Sequence, residues 1–376
     1  MKVKKLAIIG ASYLQRPVVE KAKALGLQTI CFAWSQGAVC KDICDTFYPV
    51  SITEKEQILR LCQDEGIDGI CTIGSDVAAP TVAYVAEHMG LPGNSYTAAC
   101  KAHDKHLMRE ALLAAGIDCP AYQVMANNTL NAHLSPPAFA LPLIVKPSDR
   151  SGSLGVKKIT RWEELEPAVE EAEKLSISGE AMIEEFIEGR EISVEMISCR
   201  GIHYALQITD KVTTGSPHFV ELAHHQPADL SPELRERIFA VTRQALDTLG
   251  LTTGASHSEY KLTRDGRIVV MEIAGRMGGD FIGSHLVQLS TGYDFVQGVI
   301  EVALGQVIVP DVRPNAFSGV YFLSAVTPDV QHYIDHADRY PQIVAKERTS
   351  DELKPLACSA DRSGYFIYQS NVKFQL

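Results

Sequence analysis

The stretch SHSEYKLTRDGRIVVMEIAG, Ser256 to Gly275, reads as two strands around a tight bend at Asp265-Gly266. Asp-Gly between alternating runs favours a two-residue type I′ turn. With that turn Arg264 faces Arg267, and counting outward sets Glu259 directly opposite Glu272. The alternating face, with Tyr260, Leu262, Val269, Met271 and Ile273, is the expected core side. Two opposed acids, with Cβ atoms about 5 Å apart, repel each other and need an offset. A divalent cation supplies one, since magnesium commonly takes one or two carboxylates plus substrate phosphates. A solvated face relieved by Lys261 or Arg276 is the plain alternative, and the hairpin alone does not choose.

A second stretch, LIVKPSDRSGSLGV (143–156), ends an apolar strand on Lys146 and continues into a loop of serines and glycines. A lysine at a strand mouth beside a slim backbone can grip polyphosphate through its charge and nearby N–H groups. The order is not that of a P-loop, in which the lysine follows the glycines. Upstream, DKHLMREALLAAG (104–116) predicts a helix with Asp104 as N-cap and Leu107, Met108, Ala111 and Leu112 on one face. Lys105 then falls in the first turn, where the helix dipole disfavours a cation. It is either a solvated lysine or a second phosphate contact.

The chain has 376 residues, enough for two or three domains, with 46% hydrophobic and 22% charged residues. A net charge of −11 argues against a general nucleic-acid binder, which needs a basic face. No apolar run approaches a bilayer span. MKVKKLAIIG enters a strand-like run rather than a cleavable leader, so a cytoplasmic location is expected. The nine cysteines are scattered; Cys40 and Cys44 lie four apart without a second pair to complete a zinc spacing. The adjacent His224 and His225 point to opposite faces of a strand, so they read as structural or substrate-lining.

KLAIIG, RPVVEKAKALG and LQTICFAW form a β-α-β unit, and the alternation continues to about residue 90, predicting a parallel sheet with flanking helices. The first loop, GASYLQ, lacks the three-glycine dinucleotide fingerprint, which disfavours an oxidoreductase. Asp76, after TIGS, is placed to reach a substrate from this domain. Further on come a charged helix at 162–175, strands on either side of Gly189, a hairpin partner at 200–212 and an amphipathic helix at 233–250. Beyond about Pro310 the chain is β-leaning and polar.

Together these motifs resemble the ATP-grasp ligases, in the branch of biotin carboxylase, carbamoyl phosphate synthetase and the bacterial L-amino acid (dipeptide) ligases. DKHLMREALLAAGIDCP looks like the family's helix before the small lobe, and LIVKPSDRSGSLGV like its phosphate-loop strand. MIEEFIEGREISVE resembles the hinge, and SEYKL with VVMEIAGRMGGD the metal strands and substrate loop. The resemblance implies an α/β and α+β multidomain fold. A pre-ATP-grasp α/β domain would span 1–103, a two-lobed ATP-grasp domain 104–309 with its small lobe at about 118–187, and a C-terminal subdomain 310–376.

By the same resemblance Lys105 and Lys146 would contact ATP phosphates, with Ser151, Gly152, Ser153 and Gly155 on a closing loop. Glu184, Glu185, Phe186 and Ile187 would form the hinge. There the main chain of Glu185 and Ile187 would read adenine, with Ile183 and Ile187 against the base. Glu191 would bind the ribose, Glu259 and Glu272 magnesium (manganese as a substitute), and Arg276 the acyl phosphate. Many members carry asparagine two residues after the second metal glutamate; here Ala274 stands there, leaving coordination to the glutamates, water and phosphate. Gly278 and Gly279 would approach a substrate carboxylate, and Lys211 the γ-phosphate, unless it is a surface lysine. The implied reaction joins a small-molecule carboxylate to an amine, with amino acids as the expected substrates, through an acyl phosphate with release of ADP and phosphate. Neither nucleic acid nor membrane is an expected partner, and the branch often dimerises. A purine-type carboxylating or formylating ligase, a carboxylase component and a non-catalytic nucleotide sensor are the alternatives.

Overall fold

The computed structural model describes residues 3–125, 139–150 and 154–376. Ser151, Gly152 and Ser153 lie outside the described residues.

Short apolar runs build the first sheet from β1 (Lys5–Ile9), β2 (Gln28–Phe32), β3 (Thr46–Tyr48) and β4 (Gly69–Cys71). They pair in parallel in the order β3-β2-β1-β4. β1, β2 and β4 are largely apolar because both faces of the sheet are covered there. Leu6, Ile8 and Cys31 pack on Val18 and Val19 of α1 (Arg16–Ala24). Ala7, Ile9, Ile30 and Phe32 pack on α2 (Lys55–Glu65) and α3 (Ala79–Met89). The winding reverses between β1 and β4, which opens a crevice at their carboxyl ends. Gln15 fills the turn after β1: its Oε1 accepts from the Ser12 N–H at 3.0 Å and its Nε2 donates to the Ile73 carbonyl at 2.6 Å.

Two helices lead onward, α4 (Tyr96–His103) and α5 (Lys105–Ala114), with Asp104 capping α5 by accepting from the Leu107 N–H at 3.0 Å. The buried stripe of α5 is Lys105, Met108, Arg109 and Leu112, whereas Leu107 is exposed. The inward face therefore carries two cations, and Lys105 is not a solvated surface lysine.

The small sheet contains β5 (Tyr122–Met125), β6 (Leu143–Pro147), β7 (Lys157–Ile159) and β8 (Ala181–Glu185), antiparallel in the order β5-β8-β6-β7. Strand alternation divides its faces. Leu143, Val145, Ala181 and Ile183 pack under α6 (Leu165–Leu175), while Ile144, Lys146 and Glu184 turn the other way. Ile183 is thus a core residue under α6 and does not reach a bound base, contrary to expectation.

The chain then enters an eight-stranded antiparallel sheet. Its strands are β9 (Arg190–Cys199), β10 (Ile202–Thr213), β11 (Glu221–Gln226), β12 (Gly254–Leu262), β13 (Ile268–Ala274), β14 (Phe317–Leu323), β15 (Ile343–Arg348) and β16 (Gly364–Ser370). Their order is β13-β12-β9-β10-β11-β14-β16-β15, so the residues beyond Pro310 extend this sheet. Its helices are α7 (Pro232–Leu249), α8 (Val287–Thr291), α9 (Phe295–Ala303) and α10 (Val330–Asp335). Ile238, Phe239 and Leu246 of α7 cover Val194, Met196 and Tyr260. Phe295, Val299 and Ile300 of α9 share one core with α1 of the first sheet and Ile197 of β9. Among the described residues no helix is long and apolar enough to cross a membrane.

The β12–β13 hairpin departs from its expected turn. Leu262 pairs with Ile268 and Lys261 with Val269, so the loop is the three residues Arg264-Asp265-Gly266, with Gly266 left-handed at φ 85°. A bulge then intervenes between Glu259 and Tyr260, and Glu259 pairs with Glu272 after all. The bulge also revises the core face. Val270 joins Tyr260 and Ile273 in the core, while Met271 lines the cleft beside Glu272.

Candidate active site

A cleft lies between the cleft face of the small sheet and the β12–β13–β9–β10 end of the large one. Lys146 is buried in its wall, with Nζ 2.6 Å from Glu184 Oε2. Arg109 donates from Nε to Glu184 Oε1 at 3.0 Å and from Nη2 to the Met271 carbonyl at 2.6 Å. Burial opposes ionisation of Glu184, but Arg109 and Lys146 outweigh it and hold its carboxyl below the usual range. Burial pulls the Lys146 ammonium down, against the attraction of Glu184. The Glu184 side chain therefore serves Lys146 and Arg109. Lys105 donates to the Arg150 carbonyl at 2.6 Å and lies 3.8 Å from Glu272. Gly155, left-handed at φ 74°, packs against Leu175 and Pro147, and its neighbours Leu154 and Val156 line the cleft.

Glu259 and Glu272 both face the cleft. Lys211 lies 2.5 Å from Glu259 and 3.6 Å from Glu221, buried rather than exposed on a loop. Burial raises the Glu259 carboxyl, but Lys211 and His257 overcome this and place it well below its ordinary value. Burial likewise pulls the Lys211 ammonium down, and Glu259 and Glu221 reverse the direction. Among the described residues no group of three or more His, Cys, Asp or Glu side chains makes a metal centre by itself. Two opposed carboxylates are instead the hard-oxygen donor set that fits a magnesium ion completed by phosphate and water.

At the far end, the Glu185 N–H donates to the Ala121 carbonyl at 2.9 Å, so only its carbonyl remains as a main-chain contact for a base. Phe186 and Ile187 line the cleft, with Lys158 Nζ 3.7 Å from the centre of the Phe186 ring. Glu191 also lines it, paired with Lys261 at 3.0 Å.

The loop after β13 meets the crevice of the first sheet. Arg276 grips Asp76 with two bonds of 2.7 Å, and the Gly74 N–H donates to the Met277 carbonyl at 3.1 Å. Gly278 differs from expectation: its N–H donates to Glu195 Oε2 at 2.9 Å, so a protein carboxylate holds the position assigned to a substrate. Gly279 lies against Leu14 and Gly74 in the crevice. Asp280, at φ 47°, accepts two bonds of 2.8 Å from Arg362.

Arg109, Glu195 and His257 are absent from the residues expected from sequence, yet each left a signal. Arg109 follows Lys105 by one helical turn, and His257 precedes Glu259 by one strand period, which puts each pair on a shared face. Glu195 lies two strand periods after Glu191. Cross-strand pairing sets it opposite His257, which is also opposite Ala274.

Residues 139–284 match the model of the ATP-grasp domain. The chain is 29% identical over 247 residues to alanine–anticapsin ligase of Bacillus subtilis, an alignment covering 60% of this chain and 51% of that protein. It thus spans about half the length of that relative. The crystal structure of L-amino acid ligase from Bacillus licheniformis superposes with a TM-score of 0.81 at 24% identity, covering 99% of this chain and 94% of the other. N5-carboxyaminoimidazole synthetase from Staphylococcus aureus, complexed with ADP, gives 0.80 at 15% identity, covering 99% and 95%. At these identities the superpositions speak to the fold.

Proposed function

With an ATP-grasp domain at residues 139–284, we propose that this chain is an ATP-dependent carboxylate–amine ligase acting on amino acids or similar small metabolites. The observation that carries the reading is the pairing of Glu259 with Glu272 in a cleft that also holds Lys105, Lys146 and Lys211. Paired carboxylates beside these lysines suit a metal-bound triphosphate, and the apolar wall of Ile144, Phe186, Ile187 and Met271 suits a base.

A substrate carboxylate oxygen attacks the γ-phosphorus and ADP leaves, giving an acyl phosphate. An amine then attacks the acyl carbon, the C–O bond to phosphate breaks, phosphate departs carrying the proton lost from the amine nitrogen, and the amide remains. Glu259 and Glu272 would hold magnesium, which would supply Lewis-acid neutralisation of the phosphate oxygens. Lys105, Lys146 and Lys211 spread the charge of the transferring group. Arg276, on the loop that meets the substrate crevice, is held in place by Asp76. No side-chain nucleophile is needed, since positioning and charge neutralisation account for the chemistry. The likeness in amino-acid sequence to an amino-acid ligase supports this choice of substrate class.

The test is ADP release from a panel of L-amino acid pairs, with bicarbonate and a phosphoribosyl amine as the competing arms. Release should depend on amino acids and fall by about 100-fold or more in Glu272→Gln, with an unchanged circular dichroism spectrum. Bicarbonate-dependent release, or full activity of Glu272→Gln, would contradict it.

A further inference from the structure

Glu195 is wholly buried, yet its two carboxylate oxygens point to two different parts of the site. Oε1 pairs with His257 Nδ1, and the other nitrogen of that ring lies 3.2 Å from Glu259 Oε1. Oε2 accepts from the Gly278 N–H at 2.9 Å. Because His257 sits opposite Glu195 across β12 and β9, the contact is set by strand register and not by a mobile loop. The fit at Gly278 is close: a Cβ there would lie 2.6 Å from Glu195 Oε1 and 2.8 Å from His257 Nδ1. Only glycine lets the backbone rest on the carboxylate–imidazole pair. A buried carboxylate with no partner is costly, and this one is satisfied by joining two elements.

We propose that Glu195 is a positioning residue that fixes the distance between the metal-side carboxylate Glu259 and the substrate loop at 276–280. One oxygen orients His257, and through it Glu259; the other pins the loop at Gly278. Movement of the loop then disturbs the phosphate side of the site, and the reverse. The inference rests on the ligase reading for its kinetic arm alone.

The test compares Glu195→Ala, Glu195→Gln and Gly278→Ala with the wild type by hydrogen–deuterium exchange, binding of metal-free ADP, and kinetics with the amino-acid pair that the panel identifies. Glu195→Ala should speed amide exchange at 277–280 by about tenfold or more, as expected for one lost bond to a charged acceptor. It should raise KM for the amino acid by a similar factor and leave ADP affinity within about twofold. Glu195→Gln keeps an acceptor for Gly278, so its loop exchange should stay within about threefold of wild type. Gly278→Ala, pushing from the other side, should reproduce the KM increase. Unchanged loop exchange in Glu195→Ala overturns the proposal. So does a loss of ADP affinity in step with KM, which marks general loosening. If the wild type shows no amino-acid-dependent turnover, the ligase reading fails, and the exchange comparison still decides the role of Glu195.

Discussion

Glu184 holds two cations at once from inside the wall of the cleft, and all three groups are buried. Removing one partner of such a set leaves charge stranded in a poor solvent, which costs roughly 3–5 kcal/mol. Glu184→Gln, which leaves Arg109 beside Lys146 without an anion, should therefore lower the unfolding free energy by about 3 kcal/mol in a urea titration. Lys146→Ala should behave differently, because Glu184 keeps Arg109. Most of the stability should survive, while ATP turnover falls by about 100-fold or more. Equal losses of stability, or a wild-type rate for Lys146→Ala, would contradict this division of labour. At this scale the cations at Lys105 and Lys146 were legible, since each sits where a local rule disfavours a charge or ends a strand. The partners were not. Glu184 lay within a motif whose resemblance pointed to its main chain, and only the alternation of β8 turns its side chain toward Lys146.

The β12–β13 hairpin shows how an element can be right for reasons the sequence hides. Asp265-Gly266 promised a two-residue turn; the loop has three residues, and the bulge near Met271 restores the register that brings Glu259 to Glu272. Neither deviation has a local signature. β13 is an edge strand, and its free side is held from elsewhere: the Val270 N–H donates to the Asp118 carbonyl at 2.8 Å, and Arg109 donates to the Met271 carbonyl. The bulge is thus fixed by the segment around α5, over 150 residues earlier in the chain. Another strand contact gives a pH dependence. His225 of β11 lies among Tyr321 and Tyr368, with Nδ1 2.9 Å from the Tyr368 hydroxyl. Burial pushes its imidazole down to about 4, helped by Lys373 and His224 and opposed by Asp210. The unfolded value is about 6.5, so the folded state binds fewer protons in this window and stability is lost as pH falls from about 6.5 to about 4. The loss attributable to this group reaches about 3 kcal/mol. Denaturant titrations across that range should show a flatter acid limb for His225→Gln than for wild type; parallel limbs would rule the assignment out.

Over the whole molecule, three bodies of structure converge on one place. The first sheet contributes Asp76 and the Gly74 edge, the small sheet Lys146, and the large sheet Lys211, Glu259 and Glu272. The parallel N-terminal unit was legible because both of its faces are apolar, and the two-lobed arrangement because its motifs are spread in a recognisable order. The continuity of the C-terminal strands with the large sheet was not legible, because β11–β14 pairing joins segments about 100 residues apart. This convergence is expected to transfer a phosphoryl group to a carboxylate. The most direct measurement follows oxygen-18 from the labelled carboxylates of an amino-acid panel during turnover with ATP and magnesium. One labelled oxygen should appear in the inorganic phosphate, with ADP as the nucleotide product. Unlabelled phosphate, or AMP in place of ADP, would contradict activation through an acyl phosphate.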